Sequence, residues 1–327
     1  EYRILFIKRY KSAEEFVHKS IEIDKKYYSE KNSGLANDYI NMAMILSEKK
    51  EFKMALYYYQ RAIIANLPDF NDTIVYHNPI KLNGMSRKYL CDALFGKAKA
   101  SFHVFKESNS APKQIDFSIS TYDLLYQLIN EMCNDYNHEN TRLVLSEMTK
   151  DYFEGALMAS MSYDSIKSND KIPEKTLEYF EKSKSATLNA FLNDLRVKSY
   201  LGIADSLIER EKEIAINRRY YETKIQQAKA EKDGYDTLLV QEYQDELFNY
   251  SRRYDSLLVV LKDNYPEYYQ LKYQQNVATL EQISQQLDNK SALINYFVAD
   301  TSLFILAVSK NSQVCKGYRL TALLIKK

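Results

Sequence analysis

Hydrophobic positions recur most regularly between residues 36 and 69, where they predict two short amphipathic helices separated by a break at Lys49-Lys50-Glu51. The apolar positions are Tyr39, Met42, Ala43 and Leu46 on the first helix and Ala55, Tyr59 and Ala62 on the second. Ala43 and Ala55 are small, as two closely crossing helices require at their contact. One such pair cannot bury its own apolar face, so the pattern predicts a stack of similar pairs.

This alternation of small and bulky residues resembles a tetratricopeptide (TPR) unit that is closed by Pro68. Ala13 and Ala55 are 42 residues apart, and the segment around Ala13 resembles the second helix of a preceding unit. A 42-residue period with a long second helix is similar to the TPR variant of kinesin light chains. We therefore expect the repeats to extend upstream of Glu1.

The resemblance also implies a ligand site. In TPR stacks the first helices of successive units line the concave face, and the residues on that side of the 36–69 unit are Asn37, Ile40, Asn41, Met44 and Glu48. In repeats of the kinesin-light-chain type, an Asn at the place of Asn41 is expected to hold a backbone amide of the ligand. An Asn side chain can donate and accept at once, which suits an extended peptide. A protein or peptide ligand is therefore expected here; a purely structural bridge from Asn41 to a neighbouring helix is the open alternative.

Weaker helical patterns continue as far as about residue 198, after a long loop predicted at 70–85. They predict helices over 86–106, 117–133, 139–166 and 175–195. The first of these carries Leu90, Leu94, Ala98 and Phe102 on one stripe. We interpret the set as degenerate TPR-like hairpins, so that residues 1–198 are predicted to form one α-solenoid.

Heptad spacing replaces this pattern on both sides of a turn signal at 232–236. If the two flanking helices fold back on each other, paired residues have numbers with a constant sum, as in Leu207 with Leu261, Ile214 with Tyr254, Tyr221 with Leu247 and Ile225 with Tyr243. This consistency predicts an antiparallel coiled-coil hairpin over 199–265. Packing of the two long helices on the solenoid is the alternative.

The pattern changes to β near the end of the chain. Pro266 is interpreted as the end of the hairpin, and a short helix is predicted over 277–287. Two β-rich runs, 292–298 and 303–308, then flank a turn at 299–302, and a third strand would fit 313–320. A lone hairpin is marginal in water, so 266–327 is predicted to be the incomplete start of a further domain.

Three segments in this order resemble bacterial TPR-CHAT proteins, in which TPR repeats precede a caspase-like peptidase domain. They are YFEKSKS at 179–185, LIEREKEI at 207–214 and SALINYFVADTSLFILAV at 291–308. The resemblance implies a mainly α fold: a TPR-like α-solenoid, an antiparallel coiled-coil hairpin and a short C-terminal β segment that begins a CHAT-like α/β domain.

The catalytic pair of that family is not found in this sequence. Its peptidases use a His after one strand and a Cys after a later strand, and the Cys needs that base to form its thiolate. Here the last His is His138, and Cys315 is not surrounded by a loop of small residues. We therefore expect the chain to stop before the pair, and no catalytic residue is assigned.

Composition narrows the remaining classes of function. The net charge is +1, which provides no bulk field for nucleic acid or an acidic membrane. Seven Gly and five Pro in 327 residues favour long helices. There is no apolar run of about 18 residues that would span a membrane. Phosphate-loop, dinucleotide and HExxH motifs are absent and the four His are scattered, so neither a cofactor nor a metal is expected.

The compartment is only weakly bounded. Three scattered cysteines provide no disulfide framework, which slightly favours a cytoplasmic protein and leaves a periplasmic or membrane-anchored parent open.

The sequence is consistent with two functions. The chain is either the TPR module that recruits or senses a protein for a downstream caspase-like domain, or a non-enzymatic TPR scaffold. In the second case its C-terminal strands would pair with another chain or complete a pseudo-peptidase.

Overall fold

The computed structural model describes residues 2–108, 112–135, 139–167, 174–192, 202–229, 236–273 and 278–320. The helices are α1 (Tyr2–Tyr27), α2 (Ser33–Glu48), α3 (Phe52–Asn66), α4 (Arg87–Ser108), α5 (Pro112–Asp135), α6 (Glu139–Lys167), α7 (Glu174–Leu192), α8 (Asp205–Lys229), α9 (Thr237–Asn264), α10 (Pro266–Tyr273) and α11 (Leu280–Gln286). The strands are β1 (Ala292–Val298), β2 (Ser302–Ser309) and β3 (Gln313–Arg319). The predicted mainly helical fold with a C-terminal β segment is confirmed.

The chain divides into two compact units, each built from segments that are distant in sequence. The first unit contains Glu1–Leu128 and Arg210–Ser256, and the second contains Ile129–Glu209 and Leu257–Lys327. The predicted division at 198 and 265 rests on the repeat pattern rather than on compactness, and it stays a prediction.

In the first unit, the helices pack on their neighbours in a layered order. α2 packs against α1 and α3, and α4 packs against both α3 and α2. Ala43 and Ala55 are fully buried, as their small size predicts. Lys50 has a φ of 65°, which lets the chain reverse at the predicted break between α2 and α3. A Cβ atom at Gly96 would lie 2.1 Å from Cζ of the buried Tyr59, so the approach of α4 to α3 requires glycine there.

The parts of α8 and α9 that belong to the first unit pack side by side. Ile225 and Val240 share a buried cluster, against which Leu247 packs. The Tyr221 ring lies 6.2 Å from the ring of Tyr243 and 5.9 Å from that of Tyr250, measured between centroids. These contacts bring the C-terminal part of α8 opposite the first half of α9. The turn signal at 232–236 falls, except for Asp236, outside the described residues.

In the second unit, three antiparallel strands lie in the order β1-β2-β3. The Ala299 N–H donates to the Ser302 carbonyl at 2.9 Å and closes the predicted turn. On β2 the buried side chains are Phe304, Leu306 and Val308, which share one face because side chains alternate along a strand. The third strand, which the sequence left open, is present.

Helices of the second unit cover this buried face of the sheet. The Phe153 ring of α6 lies 6.3 Å from that of Phe297, and Asn295 donates to Oε1 of Glu181 on α7 at 2.7 Å. Helix α10 is absent from the sequence prediction, which interpreted Pro266 only as a stop. Proline has no N–H to lose at a first helical position, so Pro266 both follows α9 and begins α10.

Candidate functional site

Four of the five residues predicted to line the peptide groove form one narrow stripe on α2. Asn41, Met44 and Glu48 are exposed and Asn37 is half-buried, at a spacing of three or four residues. Met44 is 54% exposed, whereas Ile40 is only 4% exposed and belongs to the core. A ligand lying on this surface would therefore meet the stripe rather than Ile40. The peptide-binding role of all five stays a prediction.

The stripe is narrow because α2 has helices on several sides. α1, α3 and α4 all pack against it, so one side of the helix is buried from Leu35 to Leu46. Its N-terminus is fixed by Asn32, whose side-chain oxygen accepts from the Leu35 N–H at 2.7 Å. The exposed residues are thus held on a helix that is anchored at its start and supported along its length.

The segment between α3 and α4, residues 67–86, is a long ordered loop closed at its base by an asparagine. The side chain of Asn66 donates to the Ser86 carbonyl at 2.7 Å and accepts from the Ser86 N–H at 2.8 Å. Asn66 is 1% exposed, and its carbonyl also accepts from the Met85 N–H at 3.0 Å. One side chain therefore joins both ends of a loop about 20 residues long; ordered loops of that length are usually functional.

Lys31 anchors the start of the same loop. Its ammonium donates to the carbonyls of Ile64 at 2.8 Å, Leu67 at 3.0 Å and Phe70 at 2.7 Å. The first two belong to the C-terminal end of α3, where helix carbonyls lack intrahelical partners. Burial lowers the pKa of Lys31 to about 8, and the attraction of Asp69 opposes that shift.

Lys97 of α4 holds the middle of the 67–86 loop. This lysine of α4 is fully buried, and its Nζ donates to Gln60 Oε1 at 2.5 Å, to the His77 carbonyl at 2.7 Å and to Asn78 Oδ1 at 3.0 Å. Three acceptors match the three protons of an ammonium. Burial lowers the pKa of Lys97 to about 7, and the attraction of Asp72 opposes that shift.

The two amides bound to Lys97 extend this network to both sides. Gln60 donates to the Asp72 carbonyl at 2.6 Å, and Asn78 donates to Oγ1 of Thr121 on α5 at 2.8 Å. The loop is thus tied to α3, α4 and α5 by polar groups within the first unit. The sequence predicts a loop at 70–85 but none of these anchors. A usable signal was present, since Lys97 lies beside Leu94 and Ala98 on the predicted apolar stripe.

Of the two residues considered for a catalytic Cys–His pair, the structure describes one. Cys315 lies on β3 opposite Leu306 and is half-buried, and His138 falls outside the described residues. Among the described residues, no group of three or more His, Cys, Asp or Glu could hold a metal ion, and no helix is long and apolar enough to cross a bilayer.

Comparison of the chain with models of protein families, with curated proteins and with solved structures gave no match.

Proposed function

We propose that the first unit is a protein-binding module of the TPR type whose ligand is an extended peptide on the exposed stripe of α2. The observation that carries this proposal is the exposure of Asn41, Met44 and Glu48, with the half-buried Asn37, on one side of a helix whose opposite side is buried. An amide can pair with the peptide backbone, and an exposed Met offers an adaptable apolar contact.

The packing of the helices supports this proposal. α4 packs against α3 and also reaches α2, as successive hairpins in a stack would. Asn41 is exposed, so a ligand can reach its amide without displacing a helix.

The test is a single substitution with a matched control. Peptides selected from a displayed random library on the purified chain are titrated against Asn41→Ala and against Lys53→Ala, which removes an exposed side chain from α3. Asn41→Ala should weaken binding about tenfold, the equivalent of one lost hydrogen bond, and leave the unfolding midpoint unchanged. Equal affinities of the two variants would remove Asn41 from the site.

At the level of the whole protein, we propose that this module belongs to a TPR-CHAT protein and serves a downstream caspase-like peptidase domain. The proposal rests on the resemblance of the segments at 179–185, 207–214 and 291–308. It is supported by their placement here on α7, on α8 and on β1 with β2.

The alternative is a non-enzymatic scaffold. It is favoured by one observation: the described residues of the second unit contain Cys315 but no His that could act as its base. The residues encoded after Lys327 decide between the two. A His and a Cys at the ends of successive strands would support a peptidase parent, and their absence would support a scaffold.

A further inference from the structure

Strand β1 lies at one edge of the three-stranded sheet, with β2 on its other side. The Ala299 N–H donates to the Ser302 carbonyl, and this bond fixes which residues of β1 bond to β2, because bonded and non-bonded pairs alternate along an antiparallel ladder. Counting back from it, the odd-numbered residues of β1 bond to β2. The N–H and C=O groups of the even-numbered residues point to the open edge: Ala292, Ile294, Tyr296 and Val298.

This edge of β1 is accessible in the described part of the chain. All four of its edge-facing residues are exposed, and no described residue forms a hydrogen bond with their N–H or C=O groups. A row of unpaired backbone groups is a template for a further strand. Its partner must therefore present an extended backbone of its own.

β1 lacks the features by which edge strands usually avoid such pairing. Its sequence, ALINYFV, contains neither a charged residue nor a proline, and its register with β2 continues without a bulge. The strand at the opposite edge, β3, carries Lys316 and Arg319. Of the two edges, that of β1 is therefore the one open to association.

The side chains beside this edge determine which strand would fit. On the face of the sheet that points away from α6 and α7, β1 presents Ile294, Tyr296 and Val298 beside their β2 partners Leu303, Ile305 and Ala307. None of these six is charged. A strand that pairs with β1 continues this face, so an uncharged strand of aliphatic and aromatic residues fits best.

β1 itself is a strand of this kind, and it is complementary to itself. Two copies can pair antiparallel about a two-fold axis at Asn295, so that all seven residues overlap and edge-facing residues meet edge-facing residues. Ile294 of one copy then lies opposite Tyr296 of the other, an aromatic and β-branched pair of the kind that stabilises antiparallel strands. Leu293 lies opposite Phe297, and no like charges meet.

We propose that β1 pairs with β1 of a second copy of this chain, so that two three-stranded sheets join into one sheet of six strands. The paired strands are about 23 Å long at 3.3 Å per residue. Such an interface is smaller than that of a standard stable complex, so the dimer should dissociate with a Kd of about 1–100 µM. The pairing lies in the second unit and does not depend on the α2 stripe.

Sedimentation velocity of the whole chain tests the proposal. Between about 1 and 300 µM the chain should pass reversibly from monomer to dimer. Tyr296→Lys places an ammonium group beside the β1 edge and should raise the Kd of the dimer about tenfold or more. The matched control, Tyr318→Lys, makes the same change on the same face of the sheet at β3 and should leave the Kd unchanged. Tyr296 is 67% exposed and Tyr318 is 49% exposed, so neither change should lower the unfolding midpoint.

Hydrogen exchange shows whether the β1 edge is the part that associates. The N–H groups of Ile294 and Tyr296 should exchange more slowly as the protein concentration rises, whereas that of Asn295, which bonds to β2, should be protected at every concentration. Three results would overturn the proposal: a chain that stays monomeric at the highest concentration, equal dissociation by both lysine variants, or exchange at Ile294 and Tyr296 that does not depend on concentration. The first would leave the edge to a strand of another protein, and the second would assign the contact to the face of the sheet.

Discussion

Replacing Asn66 with alanine should detach the base of the 67–86 loop and destabilise the first unit by about 2 kcal/mol. The substitution removes two hydrogen bonds, from Nδ2 to the Ser86 carbonyl at 2.7 Å and from the Ser86 N–H to Oδ1 at 2.8 Å. Both partners are backbone groups of one residue, so no other side chain is altered.

The magnitude follows from the surroundings of that pair. A hydrogen bond contributes about 1 kcal/mol net, and a buried group left unsatisfied costs about 1–3 kcal/mol. Asn66 is 1% exposed, but Ser86 is half-buried, so water recovers part of what its N–H and carbonyl lose. Counting each bond at its net value gives about 2 kcal/mol.

Denaturant unfolding measures the loss, and hydrogen exchange at Ser86 reports where it occurs. The matched control is Asn71→Ala, which removes the same side chain from an exposed position in the same loop and should stay within about 0.5 kcal/mol of wild type. The Ser86 N–H should exchange faster in Asn66→Ala only. If Asn66→Ala and Asn71→Ala unfold at the same denaturant concentration, Asn66 does not hold the loop.

Three further perturbations address the same unit. Gly96→Ala places a methyl group against the buried Tyr59 ring and should lower the free energy of chemical unfolding by about 1–3 kcal/mol, although alanine has the higher helix propensity. Adding Tyr59→Leu should recover part of the lost stability. A Gly96→Ala variant as stable as wild type would contradict the packing of α4 on Tyr59. Burial lowers the pKa of Lys97 to about 7 from the ordinary 10.5, so between these pH values the unfolded chain binds more protons than the folded one. The free energy of unfolding should therefore rise with pH across this window in wild type but not in Lys97→Met. If the free energies of unfolding of the two proteins change with pH in parallel, the pKa of Lys97 is not lowered. Arg87→Met removes the 3.2 Å partner of the Glu222 carboxylate, whose side chain is 12% exposed, and leaves it only Arg219 at 3.7 Å, so stability should fall by about 2 kcal/mol in thermal unfolding; a neutral effect would mean that Arg219 compensates Glu222 by itself.

Local patterns account for the elements that the sequence predicts well. The break at 49–51 and the turn at 299–302 are set by residues close in the chain, and both are found in the structure. Helix α10 escapes the same reasoning because proline both disfavours helix before it and suits the first position of the next helix. Which role Pro266 takes depends on what the following residues pack against; Tyr268 of α10, for instance, is buried.

For the candidate site too, some features follow from the sequence and others only from the tertiary structure. The sequence alone determined that α2 and α3 form an amphipathic pair and that Asn41, Met44 and Glu48 share one side of α2, because helical spacing fixes which residues lie together. Only the tertiary structure decided that Ile40 is buried and that Lys97 holds the 67–86 loop. Each of these depends on neighbours far away in sequence, and burial is a property of what covers a residue rather than of the residue itself.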